Sequence, residues 1–507
     1  MAKVRHTGGM VAAGHPLTAK AGARMLELGG NAFDAAIAAS VASFVCESAL
    51  TSPAGGGFLI GHVRREGVTL LYDFFSSTPG RGYTGKGDSI EFFPIEINFI
   101  GTPQELYIGR GSAAVPATMA GLDEVYRRHA TLPLERLLEP AIEYAEEGIV
   151  LNERQAEIIH ILAPMLTLTE EGKKIYAPSG RVLDEGDVIK NKALAETLRY
   201  LAGEGLGAFF TGYIKDALLE AFSPPEGFIT EEDLKEYCVA EREPLVVEYR
   251  DRYIYTNPPP SGGGLLIGFS LKLLEEYEPE RLGHNSAAYI RLLYNIMKTA
   301  DEVRRDEENP LGEEFLNLSK HRVATGNTTH ISVMDEDGNA VGITTSVGIG
   351  CGYMIPGTGI MMNNMLGEDE LNPDGFHRYP PGTRLQSMMS PTIIMDKDMV
   401  PAFVLGTGGS KRIRNAMVQT IVNILDFGFH PQKAVELPRV HWDGEILQLE
   451  EGIEREVVRE LEEEGIRCNL WKRKHMYFGG VNMVKKDKKG FTAGADPRRG
   501  GSAVEVS

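Results

Sequence analysis

The order in which helical and strand-like segments follow one another predicts a layered α+β fold. Helical patterning fills residues 117–201, strand patterning dominates 328–407, and the two kinds of segment fall in blocks instead of alternating one by one. That segregation argues against a doubly wound parallel sheet. With 42% hydrophobic and 24% charged residues over 507 positions, the chain can bury a substantial core, in two to four ordinary domains or fewer large ones. No internal repeat or low-complexity tract interrupts it.

The elements follow in order. Residues 17–46 read as two helices broken at Gly29-Gly30. Asn31 caps the second, and Asp34 places a carboxylate at the positive end of its dipole. The glycine-rich turn Ser52–Gly57 leads into strands over Phe58–His62 and Val68–Phe74. Residues 76–112, rich in Gly, Pro and aromatic side chains, read as a long loop system. In 117–201, apolar residues recur every three or four positions and the segments end on Gly. Leu245–Tyr255 reads as a strand pair turning at Arg250-Asp251, and the elbow Asn257–Gly264 runs into a buried helix, Leu265–Glu276. A helix over Ala287–Arg305 precedes residues 306–327, whose polar, weakly patterned composition suits a linker or exposed loop. Helices return at 411–427 and 453–465, and a hairpin around Asp487-Lys488-Lys489-Gly490 closes the chain.

Charge and cysteine usage exclude several function classes. The 52 Lys and Arg against 71 Asp and Glu give a net charge of −19, which disfavours nucleic acid or an anionic membrane as partner. The first residues lack the apolar stretch of a secretory signal, and the longest apolar run, Ala35–Val45, is too short to span a bilayer, so a cytoplasmic location is expected. Cys46, Cys238, Cys351 and Cys468 are widely spaced, with no CxxC and no nearby His pair. They signal neither a zinc site nor a disulfide framework, and no metal or organic cofactor is expected.

The segment that carries chemistry is 328–346. Two alternating runs flank Asp335-Glu336-Asp337-Gly338-Asn339, a hairpin signal. Pairing Met334 with Asn339 sets Thr328 opposite Thr345, give or take one residue, so Thr344, Thr345 and Ser346 crowd the open end. On pattern alone these hydroxyls suit an ordinary strand as well as a nucleophile. Gly408-Gly409 follow the apolar strand Phe403–Leu405 and open a helix. The pair reads either as a plain strand-to-helix turn or as backbone donors facing a developing oxyanion. The spacing is wrong for a phosphate-binding loop.

Thr328-Thr329-His330 followed by S-V-x-D-x-D-G-N-A-V resembles the start of the small subunit of the γ-glutamyltranspeptidase family. The resemblance runs through GGNAFDAA at 29–36, GGGF at 55–58, NPPPSGGG at 257–264 and KTADE at 298–302. It continues through GTGIMMNN at 357–364, MMSPT at 388–392, GTGGSKR at 406–412 and GADPRRGG at 494–501. It implies a four-layer αββα sandwich of the N-terminal-nucleophile hydrolase type, built jointly by residues 1–327 and 328–507. It also implies self-cleavage between Asn327 and Thr328, with Thr328 as nucleophile. The freed α-amine, with a pKa of about 8, is the base. Residues 306–327 then become a free tail, and the two fragments stay associated as a heterodimer able to dimerise further. By the same resemblance Ser346 hydrogen-bonds the nucleophile and Gly408 and Gly409 form the oxyanion hole. His330, beside the nucleophile, reads as a packed strand histidine or an orienting one.

The substrate pocket departs from the family pattern. Phe75 stands where the family has the arginine that pairs with the γ-glutamyl α-carboxylate, and a phenyl ring cannot make that bidentate pair. Arg81, Lys86 and Arg110 are candidate replacement cations. Asn363-Asn364 are followed by Met365, with Glu368 or Asp369 at the acidic position. Ser387 is kept, Met388 replaces a serine, and Gly348 replaces an asparagine. The leading expectation is a γ-glutamyl hydrolase or transferase acting on glutathione-like amides, passing the acyl group to water or an amine. An amidase of the same fold with another acyl donor, similar to oxamate amidohydrolases or glutaryl and cephalosporin acylases, is the alternative. A non-catalytic binding or scaffold relative is the reading from another class, and it expects no cleavage at Thr328.

Overall fold

The computed structural model describes residues 6–85, 89–99, 102–305 and 327–507. Two antiparallel sheets stack face to face, with helices covering both outer surfaces. The seven-stranded sheet runs Ser502–Val506, Gly9–Ala13, Asn327–Asp335, Ala340–Gly348, Gly56–Val63, Val68–Phe74 and Ala240–Arg242. The six-stranded sheet runs Gly490–Ala495, Asn482–Asp487, Pro401–Gly406, Thr392–Met395, Arg252–Thr256 and Leu245–Tyr249. Strands from before and after residue 327 are interleaved in the seven-stranded sheet, where Asn327–Asp335 lies between Gly9–Ala13 and Ala340–Gly348, whereas in the six-stranded sheet two earlier strands sit side by side at one edge of four later ones.

Strand alternation assigns each residue to a layer. Val11, Leu59, Ile331, Val333 and Ile343 face the helices Pro16–Glu27 and Ala32–Cys46. Met10, Phe58, Ile60 and Met334 face the second sheet, whose far side is covered by Gly262–Leu274, Ala287–Arg305 and Arg412–Leu425. Ala32–Cys46 is buried on every side, which explains its uniformly small and apolar composition. Its start carries the expected cap. Asn31 Oδ1 accepts from the Phe33 and Asp34 N–H groups, and Asp34 answers to the Asn31 N–H at 2.8 Å.

Three expectations need correction. Residues 76–112 are not one loop system, since Phe93–Phe99 pairs with Thr102–Ile108 and buries Ile97, Leu106 and Ile108 in a separate cluster. The alternation that could have revealed this hairpin is obscured by Pro94 and Pro103. Strands do not dominate up to residue 407. Between Met361 and Thr392 the described structure is turns and one short 3-10 segment, Met365–Gly367, in keeping with the local Gly and Pro content. The buried helix begins at Gly262, inside the glycine run, because Gly263 and Gly264 lie against backbone, where a Cβ would stand 2.1 Å from the Met388 and Asn257 carbonyl oxygens. Of the linker expected at 306–327, residues 306–326 lie outside the described residues, and Asn327 opens the strand Asn327–Asp335. Among the described residues no helix is long and apolar enough to cross a membrane.

Candidate active site

The hairpin Asn327–Gly348 is built from its turn. The Asp335 N–H donates to the Asn339 carbonyl at 3.1 Å, the Gly338 N–H donates to the Asp335 carbonyl at 3.2 Å, and Gly338 adopts φ +95°. Three residues therefore close the loop, where four had been expected, and the register moves by one: Met334 pairs with Ala340 and Thr328 with Ser346. This puts Thr328, His330, Thr344 and Ser346 on the face toward the second sheet. Thr345 points the other way, its Oγ1 2.8 Å from Thr51 Oγ1. The register slips between Asn327 and Thr328, the bond at which cleavage is expected.

Thr328 is 3% exposed and held from three sides. Gly408 presses on its main chain so closely that a Cβ on Gly408 would stand 2.1 Å from the Thr328 carbonyl oxygen. Arg499 Nη1 donates to that same oxygen at 2.7 Å. Behind the strand, the Thr329 hydroxyl donates to Glu47 Oε2 at 2.5 Å and the Thr18 hydroxyl to Glu47 Oε1 at 2.9 Å. Burial raises the Glu47 carboxyl above the usual range, against the opposing pull of both hydroxyls and Arg499. Burial, with Arg412 nearby, pulls the Arg499 guanidinium down to about 10. None of Thr18, Glu47 and Arg499 was singled out from sequence, because their nearness to Thr328 arises only when distant segments meet.

His330 is a packed strand histidine. Its Nδ1 lies 2.8 Å from Thr344 Oγ1 and its Nε2 lies 2.9 Å from Ser332 Oγ. Burial lowers its pKa to about 3, so the ring is neutral at physiological pH. It sits beneath Gly406, where a Cβ would be 2.4 Å from the ring.

Ser346 faces Thr328 across the strands, and its Oγ accepts from the Gly348 N–H at 3.0 Å. Gly348 has φ +68°, and a Cβ there would meet Asn364 Oδ1 at 2.1 Å and Glu368 Oε1 at 2.4 Å. Any side chain therefore lacks room at this position.

A narrow cavity of about 30 Å³ opens beside Thr328 and Ser346, with space for about two waters. Phe75, Glu368, Ser387 and Met388, all expected from sequence, line it. Met365, noted in the sequence as following Asn363-Asn364, also lines it, and Glu370, Leu371, Met389, Ser410 and Ile413, which were not singled out, complete the wall. Ser410, at φ +55°, donates its hydroxyl to Glu370. Burial first, then the charges of Glu370 and Asp369, push the Glu368 carboxyl up to about 8. Asn364 works behind the wall. Its Oδ1 accepts from the Ile349 N–H at 2.8 Å, and its Nδ2 reaches the Tyr107 carbonyl at 3.3 Å. Gly408 and Gly409, the latter at φ +132°, lead toward Arg412–Leu425.

Phe75 is 1% exposed and stacks on Phe58 with ring centroids 5.6 Å apart. The nearest guanidinium behind it, Arg384, is committed to the Phe75 and Cys238 carbonyls and lies 3.6 Å from Asp73. Arg110 pairs with Glu91 at 3.3 Å under the Tyr353 ring, and Arg81 lines a surface groove with Lys215 and Glu231. Lys86 lies outside the described residues. Among the described residues no cluster of three or more His, Cys, Asp or Glu could hold a metal ion.

The family model described as Gamma-glutamyltranspeptidase matches residues 18–310 and 306–506. The chain is 31% identical to the Acylase ACY 1 proenzyme of Pseudomonas sp. (strain SE83), over 98% of this chain and 94% of that protein. It is 28% identical to the Glutathione hydrolase proenzyme of Bacillus subtilis (strain 168), over 98% of this chain and 92% of that one. Its fold superposes on the cephalosporin acylase from Bacillus halodurans with a TM-score of 0.82 at 26% identity, covering 98% and 96% of the two chains. With a match that spans both halves and every layer of the sandwich, the chain belongs to the γ-glutamyltranspeptidase family of self-processing amidohydrolases.

Proposed function

We propose that Thr328 is the nucleophile of a self-processing amidohydrolase. The observation that carries this reading is the meeting of Thr328 and Ser346 at one cavity, with the Gly408 backbone packed against the Thr328 carbonyl. In the precursor the Thr328 hydroxyl attacks the Asn327 carbonyl carbon, the C–N bond breaks, and the acyl group passes to oxygen. Water then hydrolyses the ester, leaving a carboxylate at Asn327 and a free amine on Thr328. That amine, with a pKa of about 8, takes the hydroxyl proton as the oxygen attacks a substrate amide. The N–H groups of Gly408 and Gly409 stabilise the oxyanion, and the Ser346 hydroxyl holds the attacking oxygen. The leaving amine takes the proton, and water or an acceptor amine releases the acyl group from Thr328. Residues 1–327 and 328–507 remain together because each supplies strands to both sheets.

The wall of the cavity favours an acylase over a γ-glutamyl enzyme. Its described lining holds no Lys or Arg, and Phe75, Met365, Leu371, Met388 and Ile413 make most of it apolar. A γ-glutamyl donor would bring its α-carboxylate there without a partner, at a cost of several kcal/mol. Relatives named as acylases fit that wall, while relatives named as glutathione hydrolases keep the γ-glutamyl reading as the competitor. The test is to quench turnover of an amide donor and weigh the fragments. The 328–507 fragment should carry the acyl mass, and Thr328→Ala should carry none. An acyl adduct on any other residue overturns the assignment.

A further inference from the structure

Glu47 is a carboxylate where burial and a helix dipole both disfavour one. It is fully buried, and it caps the C-terminal end of Ala32–Cys46, the negative end of that helix. The sheet layer that this helix covers is apolar along most of the hairpin, through Ile331, Val333, Val341 and Ile343. At the end nearest Thr328 the layer turns polar. Thr329 and its cross-strand partner Thr345 stand in place of aliphatic side chains, and Thr18, Thr51 and Glu47 meet them there. None of these groups enters the acyl-transfer steps.

The strand that carries Thr328 is held unevenly. Its ladder to Ala340–Gly348 runs through Thr328, whereas its ladder to Gly9–Ala13 ends at the Ala12–Ser332 pair. Among the described residues, 328–331 therefore pair with one strand only. Beyond that ladder, the Thr329 hydroxyl donates to Glu47 Oε2 at 2.5 Å, and the Thr18 hydroxyl fixes Oε1 at 2.9 Å. Gly14, just past Gly9–Ala13, leaves space for this contact, since a Cβ there would stand 2.2 Å from Glu47 Oε2 and 2.9 Å from Thr329 Oγ1. Before cleavage Asn327 continues the strand and pairs with Gly348. Once the 327–328 bond is cut, Thr328 is a chain end, and chain ends fray unless they are tied down.

We propose that Glu47 is a positioning residue for the nucleophile: through Thr329 it pins the new amino end of the 328–507 fragment, keeping Thr328 opposite Ser346 and Gly408. The proposal rests on Thr328 as nucleophile. Glu47 touches neither substrate nor the reacting atoms. Its role begins after the cut, because Asn327 anchors the strand until then. A charge-assisted hydrogen bond suits the task, being short and stronger than a neutral one, and a small displacement of an attacking atom costs rate steeply.

The test compares wild type with Glu47→Gln, Thr329→Val and Thr329→Ser, each as the purified full chain. Self-cleavage, followed by intact mass, should proceed at the wild-type rate in all three variants. In Glu47→Gln and Thr329→Val, kcat on γ-glutamyl and glutaryl p-nitroanilides should fall about tenfold with KM unchanged, the loss of one charge-assisted hydrogen bond. An aminopeptidase should trim Thr328 from the mature fragment of both variants and spare it in wild type. Thr329→Ser, which keeps the hydroxyl and loses a methyl, should behave as wild type in both measurements. Equal damage from Thr329→Ser and Thr329→Val, a loss confined to KM, or cleavage slowed as much as turnover overturns the proposal. So does a Glu47→Gln chain with wild-type turnover and an untrimmed end. Trimming decides if neither anilide is turned over, and either of Glu47→Gln and Thr329→Val suffices if the other fails to fold. A wild type that stays uncleaved sinks the nucleophile reading and this one together. A cleaved wild type acylated on Thr328, yet indifferent to changes at Glu47 and Thr329, sinks the positioning role alone.

Discussion

The two sides of the Thr328 cavity are made differently. On the nucleophile side, contacts are between main chain and buried polar groups: Gly408 against the Thr328 carbonyl, Arg499 on the same oxygen, and Glu47 under Thr329. On the other side, side chains from the turns around 365–371 and 387–389 form the wall together with Phe75, and Glu368 Oε1 has no hydrogen-bond partner. Chemistry that needs one geometry is fixed by backbone proximity, where almost any change is a clash. On the proposed reading, choice of donor rests on side chains in turns, which can change without disturbing the strands behind them.

That contrast can be broken most severely at Gly408. Gly408→Ala places a methyl 2.1 Å from the Thr328 carbonyl oxygen and 2.9 Å from Arg499 Nη1. Turnover should fall by about 10²–10³-fold, the usual loss when an oxyanion donor is displaced, whichever donor is used. A loss confined to one donor would place Gly408 on the acyl side instead. The buried strand also carries a pH signature. His330, lowered to about 3 in the fold against 6.5 when unfolded, binds its proton more readily in the unfolded chain. Its contribution to stability is complete above pH 6.5 and is lost as pH falls toward 3, amounting to on the order of 3–5 kcal/mol. Chemical denaturation between pH 7 and 4 should register that slope, and a His330→Gln chain should show a shallower one.

Gly348 joins the two sides, and Gly348→Ala should cost about 1–3 kcal/mol for its left-handed backbone and its contacts with Asn364 and Glu368. A lowered midpoint in thermal unfolding would report it. The smallest effect belongs to Ser346, the cross-strand partner of Thr328. Ser346→Ala should reduce kcat about tenfold, and Ser346→Thr should restore most of the loss. Equal damage from both variants would point to packing at this position and not to the hydroxyl.

Much of this site was legible in the chain because hairpins obey local rules. The alternation on either side of Asp335–Asn339 placed Thr328 near Ser346 to within one residue, and the error came from the turn, where Gly338 at positive φ closes three residues and not four. Phe75, Glu368, Ser387 and Met388 were found through resemblance, since nothing in their local pattern marks a cavity wall. Glu47 and Arg499 were missed for a physical reason. A buried hydrogen bond from a charged side chain to a strand far away in the chain leaves no periodicity, and each residue alone reads as an ordinary charge. The hairpin at Phe93–Ile108 was hidden by prolines that an isolated pair of strands tolerates.

The central claim is that Thr328 becomes an amino terminus before it becomes a catalyst. Intact mass measurement of the freshly purified chain tests it directly. Two polypeptides should appear, one of them beginning at Thr328, and Thr328→Ala should remain whole. A single uncleaved chain that hydrolyses amides at full rate would contradict it.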